Sequence, residues 1–367
     1  VRNVSLKIFI IALLICVVGV LSIYSSTYRK EGELWQNIYQ RQILWIVIGI
    51  VIFQLFSNLN YRRIWDLTNV LYWVMVVLLF LVFVLGIVRL GAQRWLRFAW
   101  FNFQPSEAAK LIMVVFLARY FSAKSVDDIA LKAGSFGLFR GLVLPFIFVA
   151  VPVCFIIEQP DLGSGAMVFL IFLGMLFLSK IRIRYAFILL AIMASAVPVV
   201  WNYMRGYQKE RIMVFLNPNI DPLGAGYTMI QAKIAIGSGG FFGKGWLSGT
   251  QSQLRFLPES HTDFVFSTFT EEWGFLGGLV LIFLYYLLIR QAIVIAEKTS
   301  DHFGRLLSLG IALMLGMQIA VNIAMNLGLA PVVGIPLPLM SYGGSSVIVT
   351  FIALGILVNI NKTRAVF

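Results

Sequence analysis

The chain has 367 residues, 60% of them hydrophobic and only 12% charged, with a mean hydropathy of +0.90. Soluble domains run nearer about 45–50% apolar and 25% charged, so no aqueous fold can bury this much apolar surface and lipid must solvate most of the chain. A formal net charge of +13 would suggest nucleic acid in a soluble protein; here basic residues gathered on one membrane side account for it, and no nucleic acid is expected.

A membrane-crossing helix needs roughly 20 mostly apolar residues. Apolar runs predict span cores at 6–23, 43–56, 67–87, 108–121 and 142–157, then 165–179, 185–201, 264–289, 305–329 and 345–360. The expected fold is an all-α polytopic membrane protein of about ten spans, one transmembrane domain over 1–367, with a long outer loop at 202–263 between spans seven and eight. The first run follows Arg2 and Lys7 as a signal peptide's would, but the spans behind it favour an uncleaved helix. Cys16 and Cys154 lie in apolar runs and read as small membrane hydrophobes rather than a disulfide.

Ten spans put both termini on one side. Placing that side inside gives sixteen Lys/Arg in inner segments, seven in short outer loops and six in the long loop. Long loops do not set orientation, so both termini are predicted cytoplasmic. Eleven of the 16 acids fall on the outer side, several at helix ends, where ionisable groups are costly and line cavities or pathways. No internal repeat of the kind a two-halved transporter carries is evident.

Five outer segments carry candidate chemistry. GAQRWLRFAWFNFQPSEAAK, residues 91–110, reads as a helix start, with Ser106 as cap and Glu107 suited to the positive helix end. Lys110, one turn deeper, can pair with Glu107, and with Arg94 the two could handle an anion. EQPDLGSG, residues 158–165, reads as a tight turn with Asp161 or Ser164 capping the next helix. The long loop opens on WNYMRGYQKERI, where Arg205, Lys209 and Arg211 are expected to share part of a helical face, either on lipid headgroups or around a lipid phosphate. The glycine-rich run 236–249 fails the phosphate-loop pattern, because Ser238 stands where the first glycine belongs and Gly245 follows Lys244.

LPESHTDF, residues 257–264, reads as a helix cap through Thr262 or Asp263. It also holds a minimal set for taking a proton from a hydroxyl: Asp263 with His261 and Glu259 beside it. With only His261 and His302 in the chain, a zinc site is not expected. PVVGIPLPLMSYGGSS, residues 331–346, is uncharged and broken by proline and glycine, as a re-entrant segment would be.

In this order, GAQRWL with QPSEAAK, QPDLGSG, the run from DPLGAGY to GTQSQLRFLPESHTDFVF, and PLPLMSYGGSS resemble the bacterial SEDS family (shape, elongation, division and sporulation) over essentially the whole chain. GKGWLSGTQSQ resembles the elongation branch more than the division branch. The resemblance implies a peptidoglycan glycosyltransferase in the cytoplasmic membrane, polymerising lipid II on the outer face. Its expected partners are a class B penicillin-binding transpeptidase and other membrane proteins of the elongation complex. It implies Asp263 as the essential acid, with Arg94, Glu107, Lys110 and Asp161 at sensitive positions; the chemistry of Arg205, Lys209, Arg211 and His261 adds these as expected substrate contacts. The leaving diphosphate would be met by basic side chains, or by a divalent cation (Mg²⁺ or Mn²⁺) held by the outer acids. A flippase for lipid-linked precursors would need polar residues along the whole crossing path, and a scaffold would leave Glu107, Lys110 and Asp161 unexplained.

Overall fold

The computed structural model describes residues 2–28, 37–89, 92–98, 101–123, 139–179, 206–224 and 226–363, with single positions at 191, 195, 198, 201, 202 and 204. Each long apolar run stays helical until a turn residue ends it. Helix α1 covers Arg2–Thr27, α2 Ile38–Asn58 and α3 Arg62–Leu85. Asn60 makes the sharp α2–α3 turn by accepting the Arg62 N–H at 3.0 Å, an Asx turn of the usual kind.

Helix α4 follows at Pro105–Ala123, α5 at Leu144–Glu158 and α6 at Leu162–Leu178. Two more helices, α7 at Gly206–Leu216 and α8 at Tyr227–Gly239, precede a single turn at Thr250–Gln253. Then come α9 at Val265–Lys298, α10 at His302–Leu327 and α11 at Gly344–Thr363. The fold is predominantly helical, and nine of the ten expected spans coincide with helices α1–α6 and α9–α11. Of the remaining expected span, 185–201, only positions 191, 195, 198 and 201 are described, each of them helical. Among the described residues seven helices are long and apolar enough to cross a membrane, and α6 is a shorter apolar helix. Glu107, Lys110 and Arg119 make α4 the polar exception.

Two features depart from the expected architecture. Three short strands form a small antiparallel sheet, β1 Ile87–Arg89, β2 Ala92–Phe98 and β3 Phe101–Phe103, with Ile87 opposite Trp95 and Leu96 opposite Phe103. Apolar and polar residues do not alternate through AQRWLRF as they would in a half-exposed strand, and three short strands leave little trace beside apolar spans. The long loop, in turn, is largely helical over α7 and α8.

Helix α11 is central: 83% of its apolar window is buried, against 28% for α2 and α3. Its Gly355 lets the α2 backbone approach, since a Cβ there would sit 2.9 Å from the Phe53 carbonyl oxygen, the close approach that small residues permit between membrane helices. At the end bearing the α2–α3 turn, Asn359 of α11 accepts the Tyr61 N–H and donates to the Ser57 carbonyl, while the Tyr61 hydroxyl donates to Asp301. The candidate site lies at the opposite end.

Candidate functional site

Asp263 closes the segment before α9. The sequence suggested Thr262 or Asp263 as that helix's cap, but the cap position is Phe264 and no side chain caps it. Thr262 donates instead to Glu259 Oε2 at 2.9 Å. This frees the Asp263 carboxylate from capping. Its backbone carbonyl accepts two bonds, from Asn322 Nδ2 at 3.1 Å and Asn326 Nδ2 at 3.0 Å, both on α10. Among the described residues no donor reaches its carboxylate, which faces Gly334.

The 331–343 segment is irregular backbone sunk among the helices, with Ile335, Leu337, Leu339, Met340 and Ser341 buried. It is laced to the Asp263 segment. Ser341 Oγ donates to the Thr262 carbonyl at 2.6 Å, and the Tyr342 N–H donates to the His261 carbonyl at 2.9 Å. Gln42 of α2 donates to the Ser341 carbonyl and accepts from the Gly343 N–H. The His261 ring packs against Tyr342, centroids 5.8 Å apart.

Beside this lies an acid–base cluster. Asp161 caps α6 through the Ser164 N–H at 3.3 Å, as the sequence suggested. Its other oxygen accepts from Gln104 Nε2 at 3.2 Å and Ser106 Oγ at 3.1 Å. Ser106 therefore spends its hydroxyl on Asp161 rather than on capping α4. Arg94, projected by β2, donates to the Gln159 and Pro160 carbonyls and stands 3.9 Å from Asp161. Glu107 and Lys110 form a buried ion pair at 2.6 Å on α4, the i, i+3 pairing the sequence indicated.

Electrostatics tie these groups together. Burial, then the Glu259 charge, pushes the Asp263 carboxyl up from 3.8 to about 7; Arg211 and Arg94 oppose the rise and Asp161 adds to it. A helix N-terminus would lower an acid's pKa; burial and Glu259 offset that here. The chemical result is a carboxylate whose conjugate acid is matched to neutral pH, the condition for an effective general base.

Not every expected residue joins. Arg205 lies outside the described residues. Lys209 and Arg211 are two positions apart, about 200° around a helix, so they cannot share a face. Lys209 sits 5.9 Å over the Trp201 ring, while Arg211 acts on Asp263. The cation reading does not fit either: among the described residues no three His, Cys, Asp or Glu side chains come together as metal ligands. Asp161 is committed to its donors and Glu107 to Lys110, so no step is routed through a metal. Sequence reasoning missed Gln104, Asn322 and Asn326. The two asparagines, four residues apart in an apolar helix, were a signal of an inward polar stripe.

Over residues 5–365 the chain matches the cell cycle protein family of FtsW, RodA and SpoVE. It is 41% identical to the peptidoglycan glycosyltransferase MrdB of Escherichia coli, with 97% of this chain and 92% of that one covered. It is 31% identical to the peptidoglycan glycosyltransferase RodA of Treponema pallidum, with 95% of each covered. Among solved structures, a chain from a peptidoglycan synthase complex that coordinates polymerization and crosslinking superposes with a TM-score of 0.80 at 32% identity, covering 97% of both chains. The rod shape determining protein RodA of Thermus thermophilus gives 0.71 at 28% identity, covering 97% and 96%.

Proposed function

Because the chain belongs to the FtsW, RodA and SpoVE family, we propose that Asp263 is the general base with which it polymerises lipid II. The protein is a multi-pass bacterial membrane protein and a peptidoglycan glycosyltransferase of the elongation type. Family resemblance implies an α-linked diphosphate donor and a β-1,4 product, so the anomeric carbon inverts. A single in-line displacement achieves this. The acceptor hydroxyl oxygen bonds to the anomeric carbon as the bond to the diphosphate breaks, the diphosphate leaves with the electron pair, and the hydroxyl proton passes to Asp263.

The observation that carries this assignment is geometric: among the described residues no donor reaches the Asp263 carboxylate, which faces Gly334, and burial and Glu259 raise its pKa. Arg211 and Arg94 lie within electrostatic reach of it and supply the positive charge that a departing diphosphate requires. This reading puts the site on the outer face of the cytoplasmic membrane, which the distribution of Lys and Arg supports. A class B penicillin-binding transpeptidase and other elongation-complex proteins are its expected partners, and the synthase complex formed by a similar chain supports that expectation.

The test uses purified protein with its partner in detergent, where flipping cannot limit the rate. Asp263→Asn keeps the size and removes the basicity. Polymerisation of lipid II should fall by roughly two to four orders of magnitude, the usual worth of a positioned base. Glycan strands made at the wild-type rate by Asp263→Asn would overturn the assignment.

A further inference from the structure

Asn322 and Asn326 sit on one face of α10, buried to 0% exposure, in a helix otherwise fit to cross the membrane. Side-chain amides buried in such a helix must find partners there, and theirs converge on one place. Asn322 Nδ2 donates to the Asp263 carbonyl at 3.1 Å and to the Ile335 carbonyl at 2.7 Å. Asn326 Nδ2 donates to the same Asp263 carbonyl at 3.0 Å and to the Asn322 carbonyl at 2.8 Å. Asn326 Oδ1 accepts the Ser267 N–H at 3.1 Å and the Ser267 hydroxyl at 2.6 Å, which fixes that amide's orientation from the first turn of α9.

We infer that Asn322 and Asn326 are positioning residues for the proton-accepting carboxylate: they clamp the Asp263 backbone to α10 and, through Ile335, to the loop that the carboxylate faces. The inference rests on Asp263 acting as the base. Holding the residue by its carbonyl has a specific advantage. It sets where the side chain points without placing a donor on the carboxylate, and any such donor would stabilise the ionised form and weaken the base. No carboxylate or cation belongs to the clamp itself. The charged groups that act on Asp263 come from elsewhere: Glu259 from its own segment, Arg211 from α7, Arg94 from β2 and Asp161 at the α5–α6 turn. The clamp therefore tunes geometry and leaves charge to those four. Positioning to within a fraction of an ångström is what a general base requires of its supports.

The experiment measures steady-state polymerisation of lipid II by the purified complex as a function of substrate concentration and pH, together with thermal unfolding. Asn322→Leu and Asn326→Leu keep the size and remove the donating amide without adding a charge. Asn326→Ser, smaller and still polar, is the milder variant if either leucine variant fails to fold. In each folded variant kcat should fall ten- to a hundredfold while KM changes less than threefold, and the acid limb of the pH profile should stay at its wild-type position. A loss of rate that only matches the loss of folded protein, with kcat per folded molecule unchanged, would overturn the inference and leave the asparagines a packing role. Asp263→Asn, assayed alongside, separates the two levels. Full activity in that variant removes the base assignment, whereas an inactive Asp263→Asn beside unaffected asparagine variants removes only the clamp.

Discussion

Lys110 and Glu107 offer the sharpest separation of structure from chemistry. Both are almost completely buried, with 1% and 3% exposed, and the ammonium lies 2.6 Å from the carboxylate. Among the described residues each is the other's only side-chain partner. Lys110→Met therefore leaves a buried carboxylate without its counter-charge, and Glu107→Gln leaves a buried ammonium with only a neutral acceptor. Breaking a buried pair in this way costs about 3–5 kcal/mol, whereas replacing both members with uncharged groups of similar volume is neutral or stabilising. The double variant Glu107→Gln, Lys110→Met should thus recover the thermal stability that each single variant loses in detergent. If the ammonium also serves the substrate's anionic groups, the recovered protein will still polymerise lipid II far more slowly than wild type. Two results would refute the reasoning. Single variants losing less than about 1 kcal/mol would mean the pair is solvated, and a double variant with wild-type turnover would make it purely structural.

A base raised to about 7 must be ionised to work, so the polymerisation rate should be lost as pH falls through that value. Glu259→Gln, by removing a neighbouring negative charge, should move this limb to lower pH, and Arg211→Gln should move it higher; both are read from pH–rate profiles. Gly274 interrupts α9 at φ 67° and ψ −167°, a region reserved for glycine, and a Cβ there would also lie 2.6 Å from the Phe241 carbonyl oxygen. Gly274→Ala should lower stability by at least about 1–3 kcal/mol in thermal unfolding. For orientation, cysteines placed at the exposed Leu223 and Ser300 in a Cys154→Ser background should be labelled from outside and only from the cytoplasm, respectively. The reverse pattern would invert the topology drawn from the charges.

Apolar run length made most of the membrane architecture legible, because a helix must satisfy its backbone internally and so needs a long uninterrupted stretch. The small sheet escaped notice because three short strands carry far less signal than one span. In the site, local pairings were readable: Glu107 with Lys110, and Asp161 capping α6. Contacts between distant segments were not. Nothing near Asp263 in sequence announces that its carbonyl is held from positions 322 and 326, or that Thr262 turns back to Glu259 instead of capping α9. Helix-cap statistics describe isolated helix starts, and here the tertiary lacing by Ser341 and Tyr342 overrides them. Just past the glycine-rich run, Thr250 and Gln251 donate N–H groups to the Glu271 carboxylate of α9, which also pairs with Lys244 of the run at 2.8 Å.

The lacing of Asp263 to later parts of the chain also sets an order of assembly. Asn322, Asn326, Ser341 and Tyr342 leave the ribosome between about 60 and 80 residues after the acid they secure, a lag of several seconds at typical elongation rates of about 5–20 residues per second. Until α10 and the 331–343 segment have emerged and been inserted, the Asp263 carbonyl has neither amide and the His261 and Thr262 carbonyls lack their donors. A nascent chain that ends at α9 therefore has its Asp263 segment unsecured, and with Asp263 as the base it would stay inactive until the final hairpin is in the membrane.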